Sequence, residues 1–201
     1  MKITFTIITL FVLNLCYSQT IINWSSDYQL SLNDFNSPQT EINDRLNTYS
    51  ISSGAQIDFS FQMSSYAFMF TKNFNKKVKT ILNKNAAVIV APDSIIANRL
   101  VKLGQYEFDA MELYARRFRK ELYEKKKAFS GASFFQPIYN ELQNQMNAEN
   151  ARVIKATEAG KDEELLKQEH KKVLKEINEL SDFCYSCKPT KKRKKKRKKK
   201  E

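Results

Sequence analysis

Histidine is nearly absent from this 201-residue chain, in which His170 is the only imidazole. Zinc hydrolases that hold their metal with two or three histidines are thereby excluded, as is any nucleophilic triad whose base is not His170. Glycine is scarce too, at four residues, none of them clustered. A phosphate-cradling loop needs adjacent glycines so that backbone N–H groups can approach the ligand, and no such loop is expected. Three cysteines, Cys16, Cys184 and Cys187, are too few for a disulfide-dense scaffold.

What the chain does contain suits one compact globular domain: 42% of residues are hydrophobic and 28% charged. Its formal net charge of +12 is unevenly placed, because residues 191–201 hold ten cations and one glutamate and carry +9, leaving +3 on all the rest. Those ten are Lys191, Lys192, Arg193, Lys194, Lys195, Lys196, Arg197, Lys198, Lys199 and Lys200. No fold requires such a run, and self-repulsion should keep it extended and disordered. Two readings follow: a solvated terminus, or a polyanion-binding element attracted to an anionic membrane, lipopolysaccharide, anionic glycans or extracellular DNA. The second is worth about 1 kcal/mol per cation near an anionic membrane and is weakened by salt. Sequence-specific nucleic-acid recognition is not expected.

The first residues explain which polyanions are in reach. Met1-Lys2 precedes an uncharged, mostly apolar stretch from Ile3 to Leu15 that is too short to span a membrane. This is the pattern of a secretory signal peptide, with small Ser18 placing cleavage before Gln19 and the mature chain in a secreted or periplasmic location. An acylated Cys16 is the alternative, although bulky Leu15 stands where lipidation requires a small residue. Cleavage leaves Cys184 and Cys187, for which a local disulfide is expected in an oxidising compartment. A thioredoxin-like CxxC would need a strand before it and a helix after it, and a zinc site would need more ligands than two sulfurs and a distant His170. The organisation expected is a signal peptide over 1–18, an α+β domain over 19–182, and a CxxC plus polybasic tail over 183–201.

Within the body, residues 20–35 read as extended, and 56–70 alternate: Ile57, Phe59, Phe61 and Met63, then Tyr66, Phe68 and Phe70 after a shift at Ser64-Ser65. These aromatics fit a sheet core better than an exposed binding platform. Val78-Thr80-Leu82 and Val88–Val90 complete a small, mostly antiparallel sheet. Pro92-Asp93-Ser94 then opens a long helix to about Lys127, with Ile96, Leu100, Leu103, Glu107, Met111, Tyr114, Phe118 and Leu122 on one face. A second helix begins near Pro137, and a third runs from Asp162-Glu163-Glu164 to about Leu180, with Leu166, His170, Leu174, Ile177 and Leu180 on one side.

The run Gln105-Tyr106-Glu107-Phe108-Asp109-Ala110-Met111-Glu112-Leu113-Tyr114-Ala115-Arg116-Arg117 resembles the core motif of a secreted bacterial family catalogued as domain of unknown function 922. That family is regarded as zinc peptidases and carries HEQxHFD followed by an acidic residue and often Tyr-Ala-Arg. Trp24, Leu30 and Asp34-Phe35 are similar to its opening pattern, and Thr157-Glu158-Ala159-Gly160 is similar to its Thr-x-His-Gly element. The resemblance implies a zincin-like sheet packed on a central helix, with zinc as cofactor.

In the motif, HExxH sets two imidazoles one helical turn apart with a glutamate to activate water. The matching positions here are Leu103 and Glu107 for the histidines, Gly104 for the catalytic glutamate and Ala159 for the third ligand. Leu103 cannot bind zinc, Gly104 and Ala159 carry no ligand or base, and Glu107 alone makes an inadequate site. The expectation is therefore a pseudoenzyme with no catalytic residue, no metal and no cofactor, binding or bracing something in the cell envelope. Glu107, inward and without a metal, should need a hydrogen-bonding or cationic partner. The alternative is a metal-dependent hydrolase, a peptidase with an unconventional site. Asp109 and Glu112 could supply oxygen ligands, but pairing with Arg116 or Arg117 is the simpler role for them.

Overall fold

The computed structural model describes residues 20–190 except 61 and 129. The expected signal peptide, Cys16 and the ten cations of 191–200 lie outside the described residues. In chain order the elements are β1 (Ile21–Asn23), β2 (Glu41–Ile42), β3 (Ser50–Ser52), β4 (Ala55–Phe59), α1 (Ser65–Phe70), β5 (Val78–Asn83), β6 (Val88–Ala91), α2 (Ser94–Lys125), α3 (Phe135–Ala156) and α4 (Glu163–Glu179). The fold is α+β. Among the described residues no helix is long and apolar enough to cross a membrane.

The single sheet expected from the sequence is two sheets of three short strands. One is antiparallel throughout, in the order β1-β5-β4. In the other, β6 pairs antiparallel with β3 and parallel with β2. Strands of two and three residues are below the length at which alternation can be read, which is why β2 and β3 escape pattern reading. Of the stretch read as extended over 20–35, only Ile21–Asn23 is strand, and Leu32–Asp34 forms a 3₁₀ turn.

The second half of the aromatic alternation is helix rather than strand. Ser64 caps α1 through its hydroxyl, which accepts from the Ala67 amide at 3.1 Å. Period two and period 3.6 both put Tyr66 and Phe70 on one side, and the cap decides between them. Phe59 packs inward against Phe118 and Tyr139, and Phe68 against Phe74 and Phe134. Tyr66 and Phe70 stand 75% and 68% exposed, so they are not sheet core.

Asp93 caps α2, its carboxylate accepting from the Ile96 amide at 2.7 Å. The helix is buried on most of its circumference rather than along one stripe, because the two sheets lie on one side and α3 and α4 on the other. Three apolar clusters surround it in turn. Leu100 and Phe108 pack with Ile22, Phe35, Leu82 and Ile89; Leu103, Tyr106 and Leu113 with Val153, Leu166 and Val173; Phe118 and Leu122 with Phe74, Val78 and Met146. The helix after the junction starts at Phe135, leaving Pro137 in its first turn, where a missing N–H costs nothing. On α4 it is Val173 that faces inward, while Leu174 is 39% exposed.

The end of the described chain folds back onto the body. A disulfide joins Cys184 and Cys187, and Asn75 donates its side-chain amide to the carbonyls of Asp182 and Cys187 at 3.1 and 3.0 Å. The segment assigned with the tail on composition is thus anchored to the connection between α1 and β5.

Candidate functional site

The four motif positions map onto α2 and the turn after α3. Leu103 is fully buried. It shares an apolar cluster with Ala159, Trp24 and Ile51. Its Cβ lies 3.6 Å from where a Cβ on Gly160 would stand. Leu103 and Ala159 are therefore brought together across about 55 residues of chain, and Glu107 follows one helical turn beyond Leu103. Gly104 faces the opening pattern: a Cβ there would meet Phe35 Cζ at 2.9 Å and Ile51 Cδ1 at 3.1 Å. Its missing side chain lets α2 approach the Phe35 turn.

Glu107 is half-buried. Burial pushes its carboxyl above the usual range, partly offset by a hydrogen bond from Ser53. A serine hydroxyl is thus the partner that the sequence demanded without naming.

Residues 157–160 owe their shape to backbone more than side chains. Glu158, Ala159 and Gly160 all lie in the left-handed region, at φ 48°, 55° and 82°. Buried Thr157 holds them there: its hydroxyl donates to the Val153 carbonyl at 2.8 Å and accepts from the Gly160 amide at 3.1 Å. The Ala159 amide donates to the Ile154 carbonyl at 2.7 Å. Two consecutive non-glycine residues in this region are uncommon and store conformational strain.

Two polar clusters stand beside this site on α2. The Asp109 carboxylate accepts from Trp24 Nε1 at 2.7 Å and Gln105 Nε2 at 3.0 Å, and His170 Nε2 lies 2.7 Å away. The one histidine of the chain is therefore a tether between α4, α2 and the end of β1. Its place on the inward stripe of α4 was visible in the sequence, but its partner was not. Buried Glu112 accepts from Thr80 at 2.7 Å and from Arg116 and Arg119 at 2.8 Å each. Arg116 also donates to the Ile177 carbonyl, and fully buried Arg119 to those of Val78 and Phe183. The expected pairing of Asp109 and Glu112 with Arg116 or Arg117 thus holds for Glu112 with Arg116 alone. Arg117 bonds Glu176 instead, and Arg119, seven residues beyond Glu112, is the partner that sequence reasoning missed.

Among the described residues, no three His, Cys, Asp or Glu side chains converge where they could hold a metal ion. No family model, no curated protein and no solved structure matches this chain.

Proposed function

We propose that the chain is a catalytically silent relative of the metallopeptidase-like proteins that its central motif resembles, exported to the cell envelope and acting there by binding or bracing rather than by hydrolysis. The observation that carries this reading is the meeting of Leu103 and Ala159, two positions where the resemblance expects zinc ligands, inside one apolar cluster. A resemblance confined to the sequence would not require these two positions to adjoin. Leucine and alanine offer a metal nothing, Glu107 is left as a single carboxylate bonded by Ser53, and the next carboxylates along α2 are committed elsewhere: Asp109 to Trp24, Gln105 and His170, Glu112 to Thr80 and two arginines. That commitment weighs against the hydrolase with an unconventional site.

Metal analysis of the mature protein, together with a triple variant Leu103→His, Glu107→His, Ala159→His, tests the proposal. The expected result is no stoichiometric zinc in the natural chain and about one zinc per chain in a folded triple variant, with the four-ligand geometry completed by water. Tight stoichiometric zinc in the natural chain would overturn the silent reading. A triple variant with native circular dichroism and no zinc affinity would overturn the scaffold.

A second reading, attraction of polyanions by residues 191–200, rests on ten cations in ten consecutive positions. The two are compatible, since a silent domain can display a binding tail.

A further inference from the structure

Beside the Glu112 cluster, the first sheet, α2 and the Cys184–Cys187 loop line a pocket of about 490 Å³ that Leu103 and Ala159 do not line. Its charged lining is Lys79, Arg116, Arg119 and Glu112, so three cations face one carboxylate. That carboxylate is saturated by Thr80 and the two arginines. Arg119 uses all three of its nitrogens on Glu112 and backbone carbonyls. Arg116 does not: its Nε is on Glu112 and its Nη1 on the Ile177 carbonyl, while Nη2 has no acceptor among the described residues although the residue is only 7% exposed. Exposed Lys79 has no carboxylate within ion-pair distance among the described residues either, and its ammonium lies 5.9 Å from the Tyr185 ring centre.

A second polar cavity differs in its charge balance. Between α2, α3 and α4, Arg117, Arg152 and Lys172 are matched by Glu176, Glu149 and Glu169, each cation within bonding reach of a carboxylate. That cavity is closed in charge; the pocket at Arg116 is not. A largely buried guanidinium with a donor left over, lining the same pocket as an exposed ammonium, is a place for an oxyanion.

The rest of the lining narrows the class. Trp24 and Tyr185 form apolar walls, and Asn23, Ser25, Ser26 and Ser186 supply small neutral donors and acceptors. Aromatic faces, hydroxyl-sized polar partners and a cationic floor suit a sugar ring bearing an acidic group, and the volume suits one such unit. We propose that this pocket binds one acidic sugar unit of an anionic glycan, its oxyanion held by Arg116 and Lys79. The inference is independent of whether the metal-free reading above is right.

Trp24 is the only tryptophan in the chain, so its emission reports on the pocket wall directly. The experiment is a fluorescence titration of the full mature chain with tetragalacturonate, its fully methyl-esterified counterpart serving as the uncharged analogue. Expected is a saturable change in Trp24 emission with the acid and none with the ester. The change should be weakened about tenfold or more in Lys79→Glu, the scale of one lost charge-assisted contact, and kept when residues 191–200 are all replaced by glutamine. Lys79 is solvent-exposed, so its substitution leaves the core intact, with circular dichroism as the check. No emission change at millimolar acid, an equal response to the ester or undiminished binding by Lys79→Glu would overturn the proposal. So would loss of the response with the neutralised tail, or a stronger response to anionic phospholipid vesicles or a DNA dodecamer, which would assign the site to a membrane or a nucleic acid.

Discussion

Glu107 and Glu112 stand five residues apart on one helix, and their environments give them opposite effects on stability. Glu112 is buried with two guanidiniums and a hydroxyl on its oxygens. Glu112→Gln leaves two buried cations without their counter-charge and should cost about 3–5 kcal/mol, read as a lower urea midpoint. Glu107 has only Ser53, and burial raises its folded-state pKa above the ordinary 4.5. The folded protein therefore holds that proton longer than the unfolded chain does, so stability declines as pH rises from the unfolded value through the folded one. At neutral pH the charged group is a net liability. Glu107→Gln should raise the urea midpoint at pH 7 and converge with the natural chain near pH 3, well below the unfolded value, where the carboxyl is protonated in both folded and unfolded chains.

The turn from α3 to α4 shows how much of an element a sequence can conceal. Its strain is conformational, since a Cβ on Gly160 would make only ordinary contacts, the nearest at 3.6 Å. Gly160→Ala should therefore cost about 1–2 kcal/mol through backbone alone, and Ala159→Gly, relieving φ 55°, should gain about 0.5–1 kcal/mol. Thermal unfolding of the two single variants checks both signs. The caps at Asp93 and Asp162 were legible because a capping side chain acts on residues two or three positions away. At Ser64 the same signal was present, but the aromatic alternation on either side outweighed it. Elements whose identity rests on distant pairing, such as two-residue β2 against β6, left no local trace. The candidate site divides likewise: Leu103, Gly104 and Glu107 are contiguous and readable, whereas the partners Ser53, Phe35 and Ile51 come from loops and strands that only the fold brings near.

At the scale of the whole molecule, charge is segregated. The body at residues 20–190 is nearly balanced, with 23 Lys and Arg against 21 Asp and Glu, several in buried or half-buried pairs, and the surplus sits in the ten positions after Thr190. Retention on immobilised heparin should consequently fall steeply with salt, over the range in which the screening length drops below about 10 Å. Replacing residues 191–200 with glutamine should bring elution forward by most of that salt range. Unchanged elution in the neutralised variant would place the attraction on the body instead.

The acceptors of Arg116 and Arg119 include Ile177 and Phe183, near the far end of the chain. A ribosome delivers α2 some fifty residues before those carbonyls exist, so the guanidiniums packed around Glu112 lack part of their coordination until α4 and the turn after it have been made. The core then closes late, by the arrival of its last helix and the turn that follows.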